Sequence, residues 1–172
     1  MHCMVITAYK DFEALFGLAT WLRRHACQVF IHLDRKSRFS AFEMATLRDA
    51  GCHVERKFSV PWGGRNHLLA IVDLLDRAVQ CPDVKYIHVL SGQDYPVKTF
   101  DEIDQACDGS IYMSLTGAAA MNSYTREKYT TFNLFFFLET IPSLYGPLDA
   151  ASSRLQRLLG LAREPKTPLG DL

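Results

Sequence analysis

Tyr86-Ile87-His88-Val89-Leu90-Ser91-Gly92-Gln93-Asp94-Tyr95-Pro96-Val97-Lys98-Thr99 is an apolar run that passes directly into a polar, glycine-containing turn closed by a proline. The run predicts an apolar strand over 84–90. Ligands of open α/β sheets bind just outside the carboxyl ends of the strands, so Ser91-Gly92-Gln93-Asp94 stands where a substrate would sit. Two more strand ends carry dense polar clusters, His32-Leu33-Asp34-Arg35-Lys36-Ser37 and Val60-Pro61-Trp62-Gly63-Gly64-Arg65-Asn66.

Working outward from this stretch, strands are expected over 3–8, 27–33 and, briefly, 52–54. Helices alternate with them. The first spans 11–25, with Asp11 as N-cap and Phe12, Leu15, Phe16, Ala19 and Leu22 at helical spacing. A second spans 39–50 and ends at Gly51. A third spans 66–79, with Leu68, Leu69, Val72, Leu75 and Val79 on its apolar face. Thr99 and Glu102 form the capping box of a fourth over 100–107. A further strand is expected over 110–115 and a helix over 148–161, its apolar side supplied by Leu148, Leu155, Leu158, Leu159 and Leu161.

Strands alternating with helices make a three-layer α/β protein around a mostly parallel sheet. The pattern divides the chain into an α/β half-domain over 1–115 and an aromatic loop with a helical segment over 116–172.

The chain has 172 residues, enough for a core that needs no disulfide or metal staple. Lys+Arg and Asp+Glu both number 19, so no global field recruits nucleic acid or an acidic membrane. The five cysteines are widely spaced and odd in number, which suits reduced thiols and argues against a disulfide scaffold or a zinc site. No apolar run approaches the ~20 residues of a membrane span, and the first residues lack the pattern of a signal peptide. The expectation is a cytoplasmic chain, with peripheral attachment to a membrane left open.

Asp34 follows a strand, where a carboxylate can accept hydrogen bonds from a ribose hydroxyl or a uracil imide. The alternative is a turn aspartate paired with Arg35 or Lys36. Trp62-Gly63-Gly64 offers an aromatic surface and two residues free to take positive φ, facing the amino end of the third helix. A plain Gly-Gly turn with Trp62 in the core explains it equally well. Asp94 is one carboxylate between Gln93 and Tyr95, too few oxygens for a hard cation. It either meets sugar hydroxyls or orders its own loop. His32 and His88 read as satisfied core residues. Arg126, Lys128 and Tyr129 form a basic-aromatic edge or a solvated loop. The three clusters together point to a sugar-nucleotide site.

Ile6-Thr7-Ala8-Tyr9-Lys10-Asp11-Phe12-Glu13, Ile31-His32-Leu33-Asp34-Arg35-Lys36-Ser37, Val60-Pro61-Trp62-Gly63-Gly64 and Leu90-Ser91-Gly92-Gln93-Asp94-Tyr95-Pro96-Val97-Lys98-Thr99 occur in the order and spacing of one family. The chain resembles the amino-terminal part of the core-2/I-branching glycosyltransferases, which include the peptide-O-xylosyltransferases. The resemblance covers roughly the first 115 residues, with Arg126-Glu127-Lys128-Tyr129 a weaker match. It implies a GT-A-like fold and inverting transfer of N-acetylglucosamine or xylose from a UDP-sugar to a glycan or protein hydroxyl, with no metal cofactor. It assigns Asp34 to the nucleoside.

In that family the general base is a glutamate in a Ser-x-Asp-Glu-like segment, and a later Arg and Lys hold the diphosphate. No such segment occurs here, and neither Glu139 nor Glu164 stands in a matching context. The resemblance therefore implies a donor-binding half with no catalytic residue of its own. The alternative is a sugar-nucleotide or glycan-binding module, or a subunit completed by a partner, with the aromatic segment 132–137 inviting self-association or that partner. A Rossmann dehydrogenase is disfavoured, because Ala8-Tyr9-Lys10-Asp11 replaces a G-x-G-x-x-G after the first strand.

Overall fold

A computed structural model describes residues 1–60, 64–112, 131–132, 134–135, 138 and 141–161. Two compact units divide at Ser110 and Ile111. The first holds four parallel strands, β1 (His2–Ala8), β2 (Gln28–Leu33), β3 (His53–Glu55) and β4 (Tyr86–Ser91), in the spatial order β3-β2-β1-β4. Between and after them lie α1 (Phe12–Arg24), α2 (Ala41–Asp49), α3 (Arg65–Ala78) and α4 (Phe100–Ala106). The expected α/β architecture is present.

The strand order explains the layers. The chain steps outward from β1 to β2 to β3, then returns across the sheet to place β4 on the other side of β1. Parallel crossovers keep one hand, so reversing direction moves the connecting helix to the opposite face. α1 and α2 accordingly cover Met4, Ile6, Val29, Ile31 and Leu33 with Leu15, Leu18, Leu22 and Leu47. α3 covers Cys3, Val5 and Phe30 with Leu74 and Ala78. Burial on both faces is why β1 and β2 read as continuous apolar runs and not as alternating ones.

The helix starts follow from side-chain caps. Asp11 accepts from the Ala14 amide while itself in the left-handed region at φ 59°. Thr99 and Glu102 form the expected capping box, and Ser40 and Glu43 form a second one. The apolar face assigned to the third helix is corrected. α3 turns Ala70, Leu74 and Ala78 to the sheet, whereas Leu68 and Val79 are each 63% exposed and Val72 is exposed as well. Ile71 and Leu75 pack beside Leu74 and Ala78, so of the expected face Leu75 reaches the core and Leu68, Val72 and Val79 face outward.

Residues 110–112 are not in a strand, and the remainder of the one expected over 110–115 lies outside the described residues. In the second unit, α5 (Pro142–Leu158) begins six residues earlier than the periodicity predicts. Its buried residues are Ser152, Ser153 and Gln156, whereas Leu155, Leu158 and Leu159 are exposed. The Gln156 amide brackets one residue, accepting from the Phe132 N–H at 2.6 Å and donating to the Phe132 carbonyl at 2.8 Å. Among the described residues, side-chain amide bonding to backbone joins this helix to Phe132.

All five cysteines are free. Burial pushes the thiols of Cys3, Cys27 and Cys52 up to about 11, which keeps them protonated and unreactive. No helix among the described residues is long and apolar enough to cross a membrane.

At the amino ends of the strands, His2 Nδ1 lies 2.8 Å from His88 Nε2, and His2 Nε2 lies 3.3 Å from Asp104 of α4. Lys85 also reaches Asp104, and the Phe100 ring lies tilted against His2, 4.8 Å between centroids. Burial is the main cause holding His2 below its ordinary 6.5, opposed by Asp104. Burial, then the His2 ring, lowers His88. A lowered folded pKa gives stability that is complete above the unfolded value of 6.5 and is lost as pH falls below it. The melting temperature is therefore expected to drop between about pH 7.5 and about pH 5.5, and His88→Gln should flatten that drop. An acid slope identical in the variant, followed by circular dichroism, would remove the histidine pair as its source.

Candidate ligand site at the carboxyl ends of the strands

The reversal between β1 and β4 opens a crevice at the carboxyl ends of these strands, the place where α/β sheets hold ligands. The sheet ladder continues past the strands and fixes its walls. Asp34 N–H donates to the Ala8 carbonyl at 2.8 Å, Gly92 N–H to the Thr7 carbonyl at 2.8 Å, and Arg35 N–H to the Phe58 carbonyl at 2.9 Å. Thr7 pairs in register with His32 on one side and Ser91 on the other, which lines up three polar side chains across three strands.

These residues line a cavity of about 530 Å³, together with Tyr9, Lys10, Asp34, Lys36, His67 and Gln93. A second cavity of about 400 Å³ adjoins it, sharing Tyr9, Lys10, Asp34 and Lys36 and extending to Arg38 and Glu43. Each volume lies in the range of small-molecule pockets.

Asp34 is 8% exposed and stands at the junction of both cavities. Its Oδ1 accepts from the Lys36 N–H at 2.9 Å and the Val60 N–H at 3.1 Å. Oδ2 makes no hydrogen bond among the described residues, which leaves it for a ligand. Arg56, which the sequence did not single out, fastens the same loop by donating to the carbonyls of Phe39, Arg35 and Ser37. The carboxylate is thus held rigidly on one oxygen and free on the other.

His32 is only half satisfied, which corrects its reading as a satisfied core residue. It is 1% exposed, and its Nε2 accepts from the Phe58 N–H at 3.0 Å, while Nδ1 has no partner. Burial is the main cause of its lowered pKa, opposed by Asp34 and other carboxylates. The neutral ring then carries its proton on Nδ1. His67, from the first turn of α3, sits with Nε2 3.2 Å from Thr7 Oγ1 and closes the cavity from above the sheet.

Of the residues picked from sequence, Asp34 and Gln93 line the larger cavity. Asp94 does not line it. Its Oδ2 accepts from the Ser91 N–H at 2.6 Å, so it orders its own turn, one of the two roles expected of it. Arg35 is exposed and lines neither cavity. Gly64 is the N-cap of α3 with φ −82°, so the positive φ expected of it is not used. Trp62, Gly63, Arg126, Lys128 and Tyr129 lie outside the described residues. The sequence reading gave no role to Thr7, Tyr9, Lys10, Lys36 or His67, while Ser91 stood in the polar turn it marked for a substrate. A register that joins three strands assembles them, and Tyr9-Lys10 after the first strand and Lys36 in the cluster after the second were the local signals.

The fold is an α/β sheet with two adjoining cavities at its switch point. Residues 4–139 match the family model described as Core-2/I-Branching enzyme, and the chain belongs to that family of glycosyltransferases. No curated protein matches the chain.

Proposed function

We propose that this chain captures a UDP-sugar for inverting, metal-independent transfer of a sugar such as N-acetylglucosamine or xylose to a glycan or protein hydroxyl. The single observation that carries the reading is Asp34, a buried carboxylate with one oxygen fixed by two backbone amides and the other unpaired at the junction of two cavities. Such an acceptor suits a uracil imide N–H or a ribose hydroxyl, and the adjoining cavity gives room for the rest of the donor. Gln93, Ser91 and Thr7 supply neutral hydrogen-bonding groups for sugar hydroxyls. Asp34 is the one carboxylate lining the larger cavity among the described residues, which favours organic hydroxyl and imide donors over a hard cation. The role proposed for this chain is donor binding. Removal of the acceptor proton is assigned to none of its residues.

Calorimetric titration with UDP, with and without EDTA, tests the reading. Binding in the micromolar range that EDTA leaves unchanged is the expected result. Absence of binding by the folded chain would end the donor reading, and binding abolished by EDTA would end its metal-independent form. Saturation with UDP and no turnover of UDP-N-acetylglucosamine or UDP-xylose would favour a binding module or a subunit that a partner completes.

A further inference from the structure

We infer that Cys3 and Cys81 form a reversible dithiol–disulfide pair. Cys81 is the entry thiol for a small disulfide such as oxidised glutathione, and Cys3 is the thiol that displaces it. Cys3 stands near the amino end of β1, at the opposite end of that strand from Thr7 and Ala8. Neither cysteine lines a cavity of the ligand site, so the pair stands whether or not the donor reading holds.

The crossover from β3 through α3 to β4 brings the two together. Cys3 belongs to an interior strand, paired in register with Gln28 and Ile87, and is 0% exposed. Cys81 follows α3, its N–H bonded to the Ala78 carbonyl at 3.2 Å, and is half-buried. α3 covers the face of the sheet that carries Cys3, Val5 and Phe30, and Cys81 packs against that cluster with Ile71, Leu75 and Val84. There the thiols of Cys3 and Cys81 meet side chain to side chain. Cys27 is also near Cys3, but it packs under α1 with Cys52 on the opposite face of the sheet. A disulfide needs its two Cβ atoms to converge, which leaves Cys81 as the partner.

Burial first, and then the neighbouring Cys81, holds the Cys3 thiol at about 11, so dissolved reagents do not meet it as a thiolate. Cys81 has the solvent access that Cys3 lacks. Its thiolate attacks one sulfur of oxidised glutathione. A bond from the Cys81 sulfur to that sulfur forms, the glutathione disulfide bond breaks, and one glutathione thiolate leaves and takes a proton. Cys3 then gives its proton to water, and its thiolate attacks the Cys81 sulfur. The Cys3–Cys81 bond forms as the mixed disulfide breaks, and the second glutathione leaves and is protonated. Two protein thiols are thus oxidised by one disulfide, which is reduced to two thiols. Excess reduced glutathione reverses both steps. Contact between the two sulfurs makes the second step intramolecular, which lets a thiol so rarely ionised react at all.

The test incubates the folded full chain with oxidised glutathione, quenches with acid, blocks free thiols and maps peptides by mass spectrometry. A Cys3–Cys81 cross-link with Cys27 and Cys52 unmodified is the expected product. Cys3→Ala should stop at one glutathione on Cys81, and Cys81→Ser should leave Cys3 unmodified. In the wild type the Cys81 adduct should decay about tenfold faster for each unit of pH from about 7 to about 9, because the attacking thiol titrates at about 11. The linked chain should melt roughly 5–15 °C higher, since the bridge closes about 80 residues of the unfolded chain, and dithiothreitol should reverse the gain. A lasting Cys81 adduct in the wild type, a Cys81–Cys107 link or no reaction at Cys81 would overturn the inference. An adduct whose decay ignores pH would do the same. So would a Cys3–Cys81 link that lowers the melting temperature, since the folded chain would then hold the two thiols out of bridging geometry.

Discussion

Gly92→Ala is expected to destabilise the first unit by about 1–3 kcal/mol, the range for forcing a methyl group into a packed site. A Cβ built on Gly92 would lie 2.7 Å from Ala8 Cβ and 3.5 Å from Leu15 Cδ1. The backbone cannot simply retreat, because the Gly92 N–H bonds the Thr7 carbonyl and continues the β1–β4 ladder. For a chain of this size the loss corresponds to roughly 3–10 °C in melting temperature. The partner of the clash is itself one methyl group, so Ala8→Gly placed on Gly92→Ala should recover much of the loss. An unchanged melting temperature for Gly92→Ala would mean that the turn relaxes freely and that close approach is not what selects glycine. The same clash would push Ser91 and Gln93 away from Tyr9, so UDP affinity should fall with stability and return with the second change.

Asp34 is expected to separate stability from binding. Asp34→Ala strips the Lys36 and Val60 amides of a charged acceptor, bonds worth about 1.5–3 kcal/mol each. A loss of about 3 kcal/mol in urea unfolding is the expected outcome, once the amides find partial replacement in water. Asp34→Asn keeps a carbonyl oxygen for those amides and replaces the free oxygen with a donor. It should fold with a much smaller loss and still lower UDP affinity at least about tenfold, since an amide N–H faces the ligand's own N–H or O–H. If Asp34→Asn bound UDP as the wild type does, the carboxylate would be a loop strut only, and the donor reading would lose its main support.

Much of this was legible along the chain, for local reasons. β1, β2 and β4 are apolar on both faces, and Asp11, Thr99 and Glu102 are caps whose partners lie three residues away, so sequence spacing alone locates them. Ser40-Ala41-Phe42-Glu43 carries the same capping signal as Thr99 to Glu102. Its helix was expected one residue before Ser40, at Phe39, and the box went unread. α3 misled because its apolar residues spread wider than one stripe, and the larger ones drew the assignment away from Ala70, Leu74 and Ala78, which are the residues it buries. α5 misled in the opposite sense, since its leucines face outward and its buried residues are polar.

The site was half legible. Asp34 and Gln93 are polar residues just past apolar runs, and that position alone marks them. Thr7, His67 and Lys10 become neighbours of Asp34 only through strand order and register, which no short window contains. His32 shows the limit of alternation as a guide. The pattern places it inside and says nothing about which ring nitrogen finds a partner.

The divided duty of the Asp34 carboxylate makes the protein its own reporter. One oxygen ties the loop after β2 to the loop before α3 through the Val60 amide, and the other faces the cavity. Charge drawn toward a ligand on the free oxygen must weaken what the tied oxygen offers to Lys36 and Val60. Occupancy will therefore register as shifts of two backbone ¹⁵N–¹H resonances 24 residues apart, with no dye or tag added to the chain.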